Sequence, residues 1–307
     1  MRIVIMGQND FGRAALEAFC DKGFTVVAAV CAPEKPGAKP DPLKVAATGR
    51  DIPVHQFRSL RSPEAHEAFE ALDPDLLVMA YVLQFAPDSL LSIPRQGAIQ
   101  YHPSLLPRHR GPSAISWAIA SGARHTGLTI FRPTEGLDEG PVLLQVPVDI
   151  GPDETLGELY FDQLFPKGIE ALLTVAGQVQ RGEARAQSQL VDGGSYEGWM
   201  TDETAQVPWA QHVDVAYNVI RACNPAPGAW TMVGGTKLRL FDCRKRPLAT
   251  HGEVGGPAGT VARVTDTSIV FNAHGGFIEV MRVRAGDGKK MGAGDWARGV
   301  GLQPHGA

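Results

Sequence analysis

A histidine behind an apolar run and an aspartate bracketed by glycines are the two residues of this sequence best placed to move a proton. His102 sits near the start of the segment Tyr101-His-Pro-Ser-Leu-Leu-Pro-Arg-His-Arg-Gly111, in which two prolines stiffen the chain behind it. Imidazole has an ordinary pKa near ~6.5, so a histidine here can hold or donate a proton at neutral pH. Asp138 lies 36 positions later in the turn Thr134-Glu-Gly-Leu-Asp-Glu-Gly140, between two apolar runs that would aim it at the same edge of a sheet. Each residue also has a plain structural reading: a histidine can serve packing alone, and a turn aspartate commonly bonds its own backbone. Taken singly, neither decides between the two.

Other sites of possible chemistry read as structural. The turn Gly7-Gln-Asn-Asp-Phe-Gly12 lacks the second glycine of the G-x-G-x-x-G fingerprint, the one that lets backbone approach a pyrophosphate. It is expected to be a tight packing turn without a nicotinamide cofactor. Cys20, Cys31, Cys223 and Cys243 lie too far apart for C-x-x-C pairs and are expected to be reduced, buried thiols, with no metal site.

The elements that would position His102 and Asp138 follow from apolar periodicity. Arg2 to Met6, Phe24 to Val30, Pro53-Val54, Leu76 to Ala80 and Gly97 to Tyr101 read as strands, separated by helical stretches around Ala14 to Phe19 and Pro63 to Leu72. That rhythm is the βαβ pattern of an α/β fold with a Rossmann-like parallel sheet, whose ligands lie outside the strand ends. A helix over Ser113 to Ser121, strands over Gly127 to Phe131 and Val142 to Val146, and a helical stretch from Thr155 to Gln180, broken at Pro166, complete a first domain of residues 1–200. Residues 182–208 turn polar and glycine-bearing, as a linker would. Beyond it a helix near Val213 to Cys223 precedes short strands at Trp230 to Val233, Lys237 to Phe241, Gly259 to Val264, Ser268 to Asn272 and Phe277 to Val283. These predict a small OB-like β-barrel domain over 201–307.

With 307 residues, 44% hydrophobic and 20% charged, the chain has the balance of a folded globular protein. A net charge of −4 supplies no general pull toward nucleic acid or an anionic membrane. No apolar run reaches the ~18 residues of a membrane helix, and Ile3 to Gly7 is too short for a signal peptide. The expectation is a cytoplasmic protein with no membrane partner. Arg244-Lys245-Arg246 and Lys289-Lys290 are expected to form a solvated face, and the loop Pro33 to Lys44 carries only three lysines against two acids.

Together, the run Tyr101 to Gly111 and Gly136-Leu-Asp-Glu-Gly140 resemble the folate-dependent formyltransferase family. The likeness extends to Gln84-Phe-Ala-Pro87, Leu164-Phe-Pro-Lys-Gly-Ile169, Tyr196-Glu-Gly198, Glu203-Thr-Ala205 and Pro227-Gly-Ala-Trp230. In these stretches the chain is most similar to the hydrolase domain that opens 10-formyltetrahydrofolate dehydrogenases, and it is also similar to methionyl-tRNA formyltransferases. The resemblance implies a Rossmann-like domain followed by a barrel related to the OB-fold, with 10-formyltetrahydrofolate as formyl donor and tetrahydrofolate as product. It implies that backbone near Gln84, Phe85 and Ala86 lines a pterin pocket, with Asp138 close to the formyl group. Protonated His102 would steady an oxyanion, and Asp138 would hold the imidazole and take the proton of the nucleophile, without a metal. One position departs from the pattern: transferases of the family carry Asn two residues before the histidine, where this chain has Gln100. Glutamine keeps the amide donor but adds a methylene, enough to displace a bond that must be held within ~0.5 Å. The formyl acceptor therefore stays open between water, an amine such as an amino sugar, and aminoacyl-tRNA. Full dehydrogenase chemistry would need appended domains beyond Ala307, so hydrolysis or transfer is expected, and a non-catalytic folate carrier is the alternative from another class.

Overall fold

The fold is described from a computed structural model over residues 1–190, 192–248 and 256–304. Chain contacts divide it into two compact units, the first comprising 1–111, 127–148 and 162–196, and the second 112–126, 149–161 and the residues from 197 on.

In the first unit the strands β1 (Arg2–Gly7), β2 (Thr25–Cys31), β3 (Val54–Gln56), β4 (Leu76–Ala80) and β5 (Ala98–His102) are joined through helices α1 (Asn9–Asp21), α2 (Pro42–Thr48), α3 (Pro63–Leu72) and α4 (Asp88–Leu91). With β6 (His125–Phe131) and β7 (Val142–Asp149) they form, among the described residues, a seven-stranded sheet of order β3-β2-β1-β4-β5-β6-β7. Every residue of β4 is buried, as a central parallel strand covered on both faces must be. Helix α1 buries Phe11, Ala15, Leu16 and Phe19, one stripe of a 3.6-residue period. Asp41 caps α2 through Leu43 N (2.8 Å), and Ser62 caps α3 through Ala65 N (3.3 Å), each followed by a proline in the first turn.

The Asp41 carboxylate also accepts from Asn9 N at 3.0 and 3.1 Å. A side-chain anion thus occupies the N-terminus of α1, the position that holds pyrophosphate in dinucleotide folds.

The sheet is parallel only as far as β5. Strand β6 runs antiparallel to β5, pairing Gln100 with Phe131 and His102 with Thr129. The reversal sends the chain after Phe131 into the glycine-rich turn that carries Asp138, beside the strand that carries His102.

The second unit contains α5 (Ala114–Ala120), α6 (Leu156–Glu158) and α8 (Val213–Ala222), with β8 (Trp230–Val233), β9 (Thr236–Pro247), β10 (Val261–Val264), β11 (Ile269–Ala273), β12 (Gly276–Ala285) and β13 (Met291–Gly292). Among the described residues these strands make a curled antiparallel half-barrel of order β10-β11-β12-β9-β8, with β13 on β12. Asp242 takes a left-handed φ of 52° inside β9, and the register of β9 with β12 is the same on both sides of it. Val213, Tyr217 and Ile220 of α8 pack with Leu238, Leu240, Phe271, Ile278 and Val283 in its core. A short helix α9 (Ala293–Gly299), which apolar periodicity did not reveal, buries Trp296 and Ala297 there too.

The expected break at Pro166 takes the form of a π-helical turn, Leu159–Leu164, directly before α7 (Phe165–Gln180). Two cysteine expectations change: Cys31 and Cys223 are buried, but Cys20 and Cys243 are partly exposed, because their helix and strand lie against the core only on one side. In the basic run of β9, Lys245 pairs with Asp214 and Arg246 with Glu279, so these charges are matched within the unit. No helix of the described residues is long and apolar enough to cross a membrane.

Candidate active site

Strand β5 presents alternate residues to opposite faces. On one face Tyr101 packs against Phe11, the rings tilted by 32° with centroids 4.5 Å apart, and it lies so close to α7 that a Cβ on Gly168 would stand 2.6 Å from its ring. Gln100 and His102 therefore share the other face. His102 is buried, with Nε2 2.8 Å from the carbonyl oxygen of His109 and Nδ1 3.6 Å from Asp138 Oδ2. A carbonyl only accepts, so in the neutral ring Nε2 carries the proton and Nδ1 turns a bare lone pair toward the carboxylate.

Asp138 is buried as well and adopts a left-handed φ of 55°, which an aspartate tolerates better than most side chains. Its Oδ2 accepts from Gly111 N at 2.9 Å. The turn closes against its own stem: at Gly140 a Cβ would fall 1.7 Å from Arg132 O, so only glycine fits. The 36-residue interval in sequence thus ends in a contact between two buried groups. Burial pushes the His102 imidazole below its ordinary value, opposed by the Asp138 carboxylate and by the hydrogen bond to His109. Desolvation outweighs the neighbouring charge in setting the direction of that shift.

The loop after His102 is held from several sides. Thr129 Oγ1 donates to Ser104 O (2.6 Å) and accepts from Leu106 N (3.1 Å), and Gln145 Nε2 donates to Leu106 O (2.8 Å). Ser104 Oγ donates to Arg108 O (2.6 Å). Part of the stretch expected as a linker also closes on the site. Ser195 Oγ accepts from His109 N (2.9 Å), Ser195 N donates to Pro107 O (3.1 Å), and Ser195 O accepts from Arg110 N (3.0 Å). Gln189 Nε2 donates to Asp138 O (2.7 Å) and Gly140 O (2.8 Å), while its Oε1 accepts from Arg110 (2.9 Å). Polar composition had marked this segment only as a connection; nothing in its local pattern announces these bonds, which depend on tertiary position.

Beside the pair lies a cavity of about 210 Å³, lined by Met79, residues 82–86, Leu91, Gln100 and residues 133–138. It brings together Gln84, Phe85, Ala86, Gln100 and Asp138 of the sequence-derived set, with His102 behind Asp138 and outside the lining. Leu83, Phe85 and Leu137 are large apolar side chains left about half exposed there, the usual mark of a surface awaiting a ligand. Gln84 spends its amide N–H groups on Phe57 O (2.9 Å) and Arg58 O (3.3 Å), so it braces the loop. The Arg61 guanidinium lies 4.6 Å over the Phe85 ring. The Gln100 amide makes no hydrogen bond within the described residues and is available to whatever enters the cavity. Among the described residues, no group of three or more His, Cys, Asp or Glu side chains is arranged to hold a metal ion.

The chain as a whole has relatives. Residues 1–175 match the family described as formyl transferase, and residues 200–301 match the formyl transferase C-terminal domain. The chain is 36% identical over 312 residues to cytosolic 10-formyltetrahydrofolate dehydrogenase of Mus musculus, covering 97% of this chain and 34% of that protein. It is 33% identical over 302 residues to methionyl-tRNA formyltransferase of Syntrophus aciditrophicus, covering 97% of this chain and 95% of that protein. The chain thus spans about a third of the length of the dehydrogenases it matches. Its fold is shared by HypX from Aquifex aeolicus, solved in complex with tetrahydrofolic acid, with a TM-score of 0.67 at 21% identity over 98% of this chain and 47% of that one. By the extent of these matches, the chain belongs to the formyl transferase family.

Proposed function

We propose that this chain takes the formyl group from 10-formyltetrahydrofolate and releases it as formate or passes it to an amine. The observation that carries this reading is the Asp138 carboxylate, which lines the cavity and faces the buried His102 Nδ1 at 3.6 Å. The cavity is smaller than the ~300 Å³ from which drug-sized ligands are usually held, so it suits the ring system of a folate, with the rest of the molecule outside. Leu83, Phe85 and Leu137 offer apolar faces to that ring.

Acyl transfer requires a proton to leave the nucleophile, negative charge to be held on the carbonyl oxygen, and a proton to reach the departing N10. Asp138 and His102 act as one unit that holds a single proton. Asp138 accepts it as the nucleophile adds to the formyl carbon, Nδ1 of the neutral imidazole shares it, and the pair returns it to N10 as the C–N10 bond breaks. The free Gln100 amide donates to the developing oxyanion from the same wall of the cavity. Four free cysteines fit a reducing, cytoplasmic setting.

Transfer to aminoacyl-tRNA is the second reading, favoured by the likeness to a methionyl-tRNA formyltransferase over nearly that protein's whole length. The net charge of −4 and the internally paired Lys245 and Arg246 speak against it. Formyl-labelled 10-formyltetrahydrofolate incubated with the protein alone, then with amino sugars and aminoacyl-tRNA, tests both. Label in formate identifies a hydrolase and label in an acceptor a transferase. Bound folate without turnover under any condition overturns the enzymatic reading in favour of a carrier.

A further inference from the structure

We propose that residues 187–190 and 192–196 act as a positioning strap that selects the tautomer of His102, with Ser195 and Gln189 as its working residues. The proposal rests on the acid–base reading of the His102–Asp138 pair and adds to it the device that sets the pair's proton arrangement.

The argument begins with His109, whose carbonyl oxygen fixes the proton on His102 Nε2 at 2.8 Å. His109 holds a left-handed φ of 53°, a conformation uncommon for residues other than glycine. Ser195 imposes it from both sides. Its backbone N–H binds Pro107 O (3.1 Å), its hydroxyl accepts from His109 N (2.9 Å), and its carbonyl accepts from Arg110 N (3.0 Å). Three consecutive contacts on one serine hold the peptide units that flank His109, and hence the direction of its carbonyl.

Gln189 does the same for the acid. Its amide N–H groups bind the carbonyls of Asp138 (2.7 Å) and Gly140 (2.8 Å), fixing the left-handed turn, and its Oε1 ties Arg110 to that turn at 2.9 Å. Arg110 also reaches Glu139 Oε1 at 3.3 Å. A pairing of Val142 with Gln187, with N–H to O distances of 2.7 and 2.8 Å in the two directions, anchors the start of the strap to β7. Both loops of the site are therefore referred to one segment.

The consequence is chemical. With the His109 carbonyl in place, Nε2–H is the favoured form and Nδ1 stays unprotonated toward Asp138. If the carbonyl turns away, Nε2–H loses its acceptor, and a proton on Nδ1, beside the carboxylate, becomes the better tautomer. That form has no base to offer at Nδ1. Outer partners of this kind commonly govern catalytic histidines by fixing which nitrogen is free.

The test uses the full chain labelled with 15N-histidine. The His102 signals are assigned by difference from His102→Gln, and Nδ1 and Nε2 shifts are read in wild type, Ser195→Ala, Gln189→Ala, the double variant and Ser195→Thr. Wild type is expected to show a protonated Nε2 and an unprotonated Nδ1. Ser195→Ala and the double variant should move toward the Nδ1–H form, with kcat reduced on the order of 10–100-fold. KM for the folate should hold, because neither Ser195 nor Gln189 lines the cavity. Ser195→Thr, which keeps the hydroxyl, should restore the wild-type spectrum and rate. An unchanged tautomer in folded Ser195→Ala, whatever its rate, overturns the strap, as does a wild-type tautomer other than Nε2–H. Should the double variant lose its fold, the single variants decide. The spectra need no turnover, so a protein inactive on every acceptor would sink the proposed function and leave this measurement standing.

Discussion

Replacing Asp138 by asparagine isolates the charge of the pair from its shape. Asparagine can keep its oxygen where Oδ2 accepts from Gly111 N at 2.9 Å, so the turn and its main-chain bonds to Gln189 remain. What is lost is a negative charge 3.6 Å from His102 Nδ1, between two buried groups. At an effective dielectric of ~20, a charge at that distance stabilises an imidazolium by about 5 kcal/mol. At ~1.4 kcal/mol per decade this corresponds to a loss on the order of 10³-fold in kcat if the pair carries the proton in the transition state. The imidazole should also become harder to protonate, since the carboxylate is the larger of the two influences that raise its pKa against burial. Stability should change little, by about 1 kcal/mol or less, because a buried charge with few partners adds little to the fold. Formate release under saturating folate gives the rate, urea denaturation the stability, and tetrahydrofolate binding the state of the cavity. Wild-type turnover in a folded Asp138→Asn protein would refute the assignment. So would a rate loss matched by an equal loss of binding.

Three further outcomes are expected. Gln100→Leu removes the free amide from the cavity wall and should lower kcat on the order of 10²-fold with KM for the folate little changed; steady-state kinetics check it, and an unaltered kcat removes Gln100 from the mechanism. Gly168→Ala drives a methyl to 2.6 Å from the Tyr101 ring and should cost ~1–3 kcal/mol in urea denaturation while shifting β5 and slowing turnover. The lowered pKa of His102 makes the unfolded chain bind more protons than the folded one just below the ordinary value of 6.5, so the stability it contributes is full above that pH and falls as acid is added toward the folded value. Denaturation midpoints of wild type and His102→Gln should therefore diverge as pH drops below ~6.5, with wild type losing more; parallel curves would show that the ring is not held neutral.

The amino-acid sequence by itself determined much of this protein. Apolar runs such as Leu76 to Ala80 and the stripe Phe11, Ala15, Leu16 and Phe19 specify their elements locally, because burial demands a period of two or 3.6 whatever the partner. The loop beginning at His102 and the glycine-bracketed Asp138 were legible as candidates, and their joint spacing carried the family resemblance. Tertiary structure alone decided the direction of β6, since an apolar strand reads the same either way, and with it the approach of the Asp138 turn to β5. It decided the downward direction of the His102 pKa, because desolvation belongs to burial among distant residues and leaves no trace in local sequence. The bonds of Ser195 and Gln189 to the two loops of the candidate site also came from the fold alone. Each spans 50 or more residues for at least one partner, and a polar segment joining two domains looks the same whether it hangs in water or holds an active site together.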